Sequence, residues 1–199
     1  MNIAVITRMS FKNDLTDVQI HCFRSYLEAL SLQDYKDFTV YLLANSVRAY
    51  KGSAENREFI KEIVEPYPFV KVADPKRFTY DVEIRLDYDD VVSHDFISDV
   101  YKTAQDAEKE TFVISYQPIK VDVYTGDQYR NPLRYSTICP SMCMALVQKK
   151  EKTKGVYDRP HNFMSDHVGE CIVRPEGFFY LQVHGENTLS QLPPKSFKL

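Results

Sequence analysis

The stretch "VEIRLDYDD" (82–90) runs an apolar segment into three carboxylates within four positions, Asp87, Asp89 and Asp90. Charges of one sign packed this closely repel, and the end of a buried strand offers nothing obvious to offset them, so a cation is expected there. Two carboxylates spaced D-x-D on a turn can converge on one hard divalent ion, which completes its octahedron from diphosphate oxygens and water. That ion would neutralise charge developing on a leaving diphosphate. The competing role is structural: a solvated acidic turn that caps a helix starting near Ser93, where carboxylates favour the positive end of the dipole. Arg85 alternates with Ile84 and Leu86. It either faces the ligand side, holding a phosphate or orienting a carboxylate, or forms an ion pair with Asp87 or Asp89.

Positioning these groups requires a strand that stops at Asp87, and the chain supplies one within an alternating pattern. "NIAVIT" (2–7) is a continuous apolar run suited to a central parallel strand buried on both faces. "TDVQIHCFRSYLEAL" opens with Thr16 and Gln19 at capping-box spacing and sets Ile20, Phe23, Leu27 and Leu30 on one helical face. Strand "FTVYLLAN" (38–45), helix "SAENREFIKEIV", and strands "PFVKVAD" and "YDVEIRLD" follow. "HDFISDVYKTAQDAE" then forms a helix with Phe96, Ile97, Val100, Tyr101 and Ala104 on one side. The alternation predicts an α/β domain with a mixed, mostly parallel central sheet flanked by helices. The acidic cluster falls at a strand C-terminus before a helix, where open α/β sheets bind ligands.

The second half differs in character. "TFVISYQPIKVDVYTGDQYR" predicts an antiparallel hairpin turning at Thr125-Gly126-Asp127, and "SMCMALVQK" and "FFYLQVHG" predict two more strands. Between them "DRPHNFMSDHVGE" reads as a short helix or loop, and "TLSQLPPKSFKL" as a mobile surface tail. With no internal repeat and no Gly/Ser-rich linker, 1–199 is expected to be one domain, divided into 1–107, 108–190 and a tail at 191–199.

Composition narrows the function classes. The 199 residues, 44% hydrophobic and 13% aromatic, suffice for one full core. Twenty-five basic against 28 acidic residues give a net charge of −3, so no overall basic field recommends nucleic acid or an anionic membrane as a partner. No apolar run approaches the roughly 18 residues of a transmembrane segment, and no secretory leader is evident, so a cytoplasmic protein is expected. Cys22, Cys139, Cys143 and Cys171 are scattered, which fits a reducing compartment. "CPSMC" lacks the second pair that a zinc site needs, and His161 and His167 beside Asp166 are not spaced for one helical face.

With "RLDYDD" at a strand end, a first strand closing on "TR" and a late "YLQVHGEN", the chain resembles the nucleotide-sugar-dependent glycosyltransferases of the GT-A fold. Among them it is most similar to the small rhamnosyltransferase group. The resemblance implies a nucleotide-binding half (1–107) and an acceptor-side half (108–190), with a nucleotide-diphosphate sugar as donor and a glycan or other hydroxyl compound as acceptor. It implies that Asp87 contacts the ribose or helps hold the metal, that Asp89 is the main metal ligand, and that Asp90 contacts the donor sugar or orders the loop. Arg8, Ala44 and Asn45 would lie near the nucleotide, and Asp74 falls at a comparable strand end. Asn187 would bond a phosphate or close its loop, and Gly185 would permit a turn there.

His184 is the implied third metal ligand, the alternative being a histidine that caps a strand end. Imidazole suits Mn²⁺ better than Mg²⁺, so manganese is the expected ion. An inverting enzyme needs a general base for the acceptor hydroxyl. The resemblance places it at Asp166, with Glu170 in reserve and His161 or His167 beside it. The family's Glu-Asp pair is Ser165-Asp166 here, and the alternative is that Asp166 caps a helix.

Other classes fit less well. A sugar nucleotidyltransferase needs a Gly-rich basic loop after the first strand, and "TRMSFKND" has no glycine. An aspartyl phosphatase places its nucleophile where this chain has Thr7 and Arg8. A non-catalytic nucleotide- or glycan-binding module of the same fold remains open.

Overall fold

The structure, a computed structural model, describes residues 1–9, 15–43, 54–73, 76, 79–130, 143–158, 164, 168–184, 192–193, 195 and 198–199, with backbone alone at 54–57. The elements are β1 (Ile3–Arg8), α1 (Asp17–Ser31), β2 (Phe38–Leu43), α2 (Ala54–Val64), β3 (Val70–Val72), β4 (Val82–Asp87), β5 (Asp90–Val92), α3 (Phe96–Asp106), β6 (Thr111–Asp122), β7 (Gln128–Arg130), β8 (Met144–Gln148) and β9 (Cys171–Val183).

Each early element forms for a local reason. Every residue of β1 but Arg8 is buried, as an interior strand requires. Thr16 and Gln19 make both bonds of the capping box that starts α1. From there Phe23, Leu27 and Leu30, joined by Cys22 and Tyr26, turn toward the sheet. In α3, Phe96, Ile97, Val100 and Ala104 are buried, while Tyr101 sits at the edge with its ring 4.8 Å from that of Tyr35.

Among the described residues the strands form one sheet in the order β3-β2-β1-β4-β8-β6-β9-β5, with β7 on β6. β1 to β4, β6 and β9 run one way, and β5, β7 and β8 the other, so the mixed, mostly parallel α/β sheet expected from the sequence is the one found. Alternate residues of β1 feed two cores. Ile3 and Val5 join the larger one under α1 and α3, and Ala4 and Ile6 join a smaller one with Tyr41, Met144, Leu146, Val156 and Met164. Each fully buried large apolar side chain contributes about 1.5–3 kcal/mol, so the parallel half is a firm base for its strand ends.

Three expectations need correcting. The acidic turn leads into the short strand β5, and α3 begins only at Phe96 behind Asp95, so the cluster does not cap a helix. "FFYLQVHG" is only the end of a 13-residue strand that pairs with both β6 and β5. The end of the tail is tied down: Lys198 bridges Tyr129 and pairs with Asp127 at 2.7 Å, and the Leu199 N–H donates to the Gln128 carbonyl at 2.8 Å. Among the described residues no helix is long and apolar enough to cross a membrane.

Candidate functional site

Two clusters form at the C-terminal ends of β1 and β4. In the first, the parallel register sets Arg8 opposite Asp87 and Ile6 opposite Arg85. Because side chains alternate, Arg8, Arg85 and Asp87 share one face of the sheet. Over them lies Tyr157, with the Arg8 guanidinium 4.0 Å and the Arg85 guanidinium 4.7 Å from its ring centroid. The Tyr157 hydroxyl donates to the Ile6 carbonyl at 3.2 Å, and burial pushes its ionisation far above the ordinary phenol range, so the ring is neutral. Among the described residues no carboxylate lies within ion-pair distance of Arg85, and its buried Nε has no hydrogen-bond partner.

The second cluster is built by β9. Its antiparallel pairing with β5 sets Leu181 opposite Asp90, which carries the following residues past the Tyr88-Asp89 turn. Gln182 Nε2 donates to the Asp89 carbonyl at 2.8 Å, and His184 Nε2 lies 3.1 Å from Asp89 Oδ2. The His184 side chain is fully buried, while Asp89 keeps 16% of its side chain open. The Tyr124 hydroxyl donates to the His184 carbonyl at 3.0 Å, fixing the strand end from the other side.

The three carboxylates differ in their surroundings. Burial raises half-buried Asp87 to about 6; the guanidiniums of Arg85 and Arg8 pull it down and the Asp89 carboxylate pushes it up. Asp90 is 1% exposed, and its charge acts on Tyr26 and Cys143 of the larger core. Burial, then Asp89 and Asp87, hold it well above the carboxylate range. The Asp87 backbone N–H opposes this weakly, yet neither Asp90 oxygen has a partner of good geometry among the described residues. Burial, with Asp90 and Asp87 adding, keeps the Cys143 thiol protonated, and Cys22 is raised to about 12 by burial with Asp89 and Asp90, so neither serves as a nucleophile.

The structure thus brings together Arg8, Arg85 and Asp87, and separately Asp89 and His184. Asp90 lies inward of both. Glu170 pairs with Lys109 at 3.3 Å. Ala44, Asn45, Asp74, Cys139, His161, Ser165, Asp166, His167, Gly185 and Asn187 lie outside the described residues. Among the described residues no three His, Cys, Asp or Glu side chains form a ready-made metal cage. One carboxylate and one imidazole nonetheless fit an ion that draws its remaining ligands from phosphate and water. Sequence reasoning missed Tyr157, Gln182 and Tyr124; the turn "GVYD" around Tyr157 was the one available signal.

No protein-family model matches the sequence, and no curated protein matches it. Solved structures do. S. aureus TarS 1–349 in complex with UDP-GlcNAc superimposes with a TM-score of 0.59 at 13% identity over 99% of this chain and 63% of that one. The same protein in complex with UDP gives 0.57 at 14% identity over 92% and 61%. The chain has a GT-A-like fold. A longer TarS structure gives 0.58 at 12% identity over 92% of this chain and 37% of that one. The GT-A-like chain therefore spans less than two thirds of the TarS chains it matches.

Proposed function

We propose that the protein is a metal-dependent glycosyltransferase that moves a sugar from a nucleotide-diphosphate donor to a glycan or other hydroxyl acceptor with inversion. The observation that carries this is the pairing of His184 with Asp89, two residues after Asp87, whose charge meets both guanidiniums, at the strand ends where open α/β folds hold ligands. The fold shared with structures that hold UDP and UDP-GlcNAc supports it.

Asp89 and His184 would hold a divalent ion, Mn²⁺ in preference to Mg²⁺, with Asp87 beside them for the ion or the ribose. When bound, that ion supplies charge neutralisation for the departing diphosphate. Arg8 and Arg85 hold the diphosphate, and Asn45 and Asn187 add donor contacts. Asp90, buried, sets the turn rather than meeting the sugar. The acceptor oxygen attacks the anomeric carbon, the bond to the diphosphate breaks with its electron pair leaving on the phosphate, and Asp166 takes the hydroxyl proton. The rhamnosyltransferase resemblance makes a nucleotide-linked rhamnose a donor to test beside UDP-GlcNAc.

The experiment is release of nucleoside diphosphate from a panel of sugar nucleotides with Mn²⁺ and mixed hydroxyl acceptors. Turnover that disappears in Asp89→Asn supports the proposal. Nucleotide binding without turnover on any acceptor would leave a non-catalytic module.

A further inference from the structure

Two guanidiniums seldom share one aromatic ring, because their charges repel at that separation unless something offsets them. Here Asp87 stands close enough for its charge to act on both. The face holds two guanidiniums against one ring, Arg8 at 4.0 Å and Arg85 at 4.7 Å from its centroid. It also carries an unused donor, the buried Nε of Arg85. Both features point to an anion with more than one oxygen to offer.

The ring between them is held with unusual care for an irregular segment. Buried Gln148 accepts from the N–H groups of Thr153 and Lys154, each at 3.0 Å, and donates to the Lys154 carbonyl at 2.7 Å. Buried Glu83 accepts from the Val156 N–H at 2.9 Å, and the Asp158 carboxylate accepts from the Gly155 N–H at 2.7 Å. The Tyr157 hydroxyl then anchors the ring to β1. Burying Glu83 and Gln148 is costly unless they bond, so these latches fix where Tyr157 stands.

We infer that Tyr157 is a positioning residue that holds Arg8 and Arg85 as one pair for the diphosphate of the ligand. A π-face orients a guanidinium without consuming its N–H donors, whereas a carboxylate partner would occupy them. Tyr157 thus keeps both arginines ordered and still free to bond phosphate oxygens. The inference rests on the donor assignment above, and its test separates the two.

Inorganic pyrophosphate is titrated calorimetrically in EDTA at low ionic strength, so that no metal bridges it to the carboxylates. Wild type binds it; Tyr157→Leu weakens binding by about tenfold, the order expected for lost cation–π ordering. Tyr157→Phe, which keeps the ring, restores most of the affinity, and Arg85→Lys, which keeps charge but not the planar fork, does not. Melting temperatures without ligand show that each variant folds. The inference is overturned if wild type does not bind pyrophosphate, if Tyr157→Leu binds as wild type does, or if Tyr157→Phe is as weak as Tyr157→Leu. Should UDP bind no more tightly than pyrophosphate, with the variant series intact, the nucleotide assignment fails and the anion pair stands.

Discussion

His184 Nε2 lies 3.1 Å from Asp89 Oδ2 although 95 positions separate the two residues. The contact joins the end of β9 to the turn after β4, so it exists only in the folded sheet. Replacing His184 with Asn should lower Mn²⁺-dependent nucleotide affinity by about tenfold or more while leaving metal-free pyrophosphate binding unchanged. Calorimetry in Mn²⁺ and in EDTA separates the two effects.

The raised Asp87 predicts a pH dependence. The cation binds the carboxylate and not the acid, so Mn²⁺-dependent affinity should fall as pH drops through about 6. Stability runs the other way. The folded state holds a proton that the unfolded chain, with its ordinary value of 3.8, releases earlier, so the metal-free protein loses stability as pH rises from about 4 through 6. Asp87→Asn should therefore melt higher than wild type at pH 8, by about 2–4 °C for each kcal/mol recovered, and the gap should close near pH 4. A gap that is constant with pH would exclude titration of Asp87 as its source.

β9 is braced well before it reaches the site. Arg174 makes a two-point contact with Asp99 of α3, and the Tyr116 hydroxyl donates to the same carboxylate at 2.8 Å. Tyr116 and Arg174 sit opposite each other where the β6–β9 register shifts. Asp99→Ala leaves a buried hydroxyl and a guanidinium without their acceptor and should cost about 2–3 kcal/mol by denaturant unfolding. It should also weaken Mn²⁺-dependent nucleotide binding, because β9 presents Gln182 and His184.

Asp166→Asn should reduce sugar transfer by about 10²-fold or more and leave donor affinity unchanged, the signature of a lost base. Steady-state rates beside nucleotide calorimetry check this. Unchanged turnover would move the base to Glu170, whose Lys109 partner would then have to release it.

The parallel half of the fold was legible because its signals are local. An apolar run made β1, and Thr16 with Gln19 started α1. The first part of β9 was not legible, because Pro175 and Gly177 interrupt its alternation and many of its residues are only half-buried. Its strand identity comes from pairing with β6, which lies some 50 residues away in sequence and leaves no local mark. "DYDD" shows three equivalent acids, whereas the turn puts Asp87 beside the arginines, Asp89 on His184 and Asp90 into the core. Only tertiary packing makes that distinction. Tyr157 was hidden for the same reason, as one aromatic residue in a polar stretch.

The central claim is that Asp89 holds a divalent ion for a nucleotide diphosphate. Its most direct test is calorimetric titration of UDP into wild type and Asp89→Asn, each with Mn²⁺ and with EDTA. The account predicts tight binding to wild type in Mn²⁺ only, weakened about a hundredfold by Asp89→Asn. Equal UDP affinity in EDTA and in Mn²⁺, unaffected by the substitution, would contradict it.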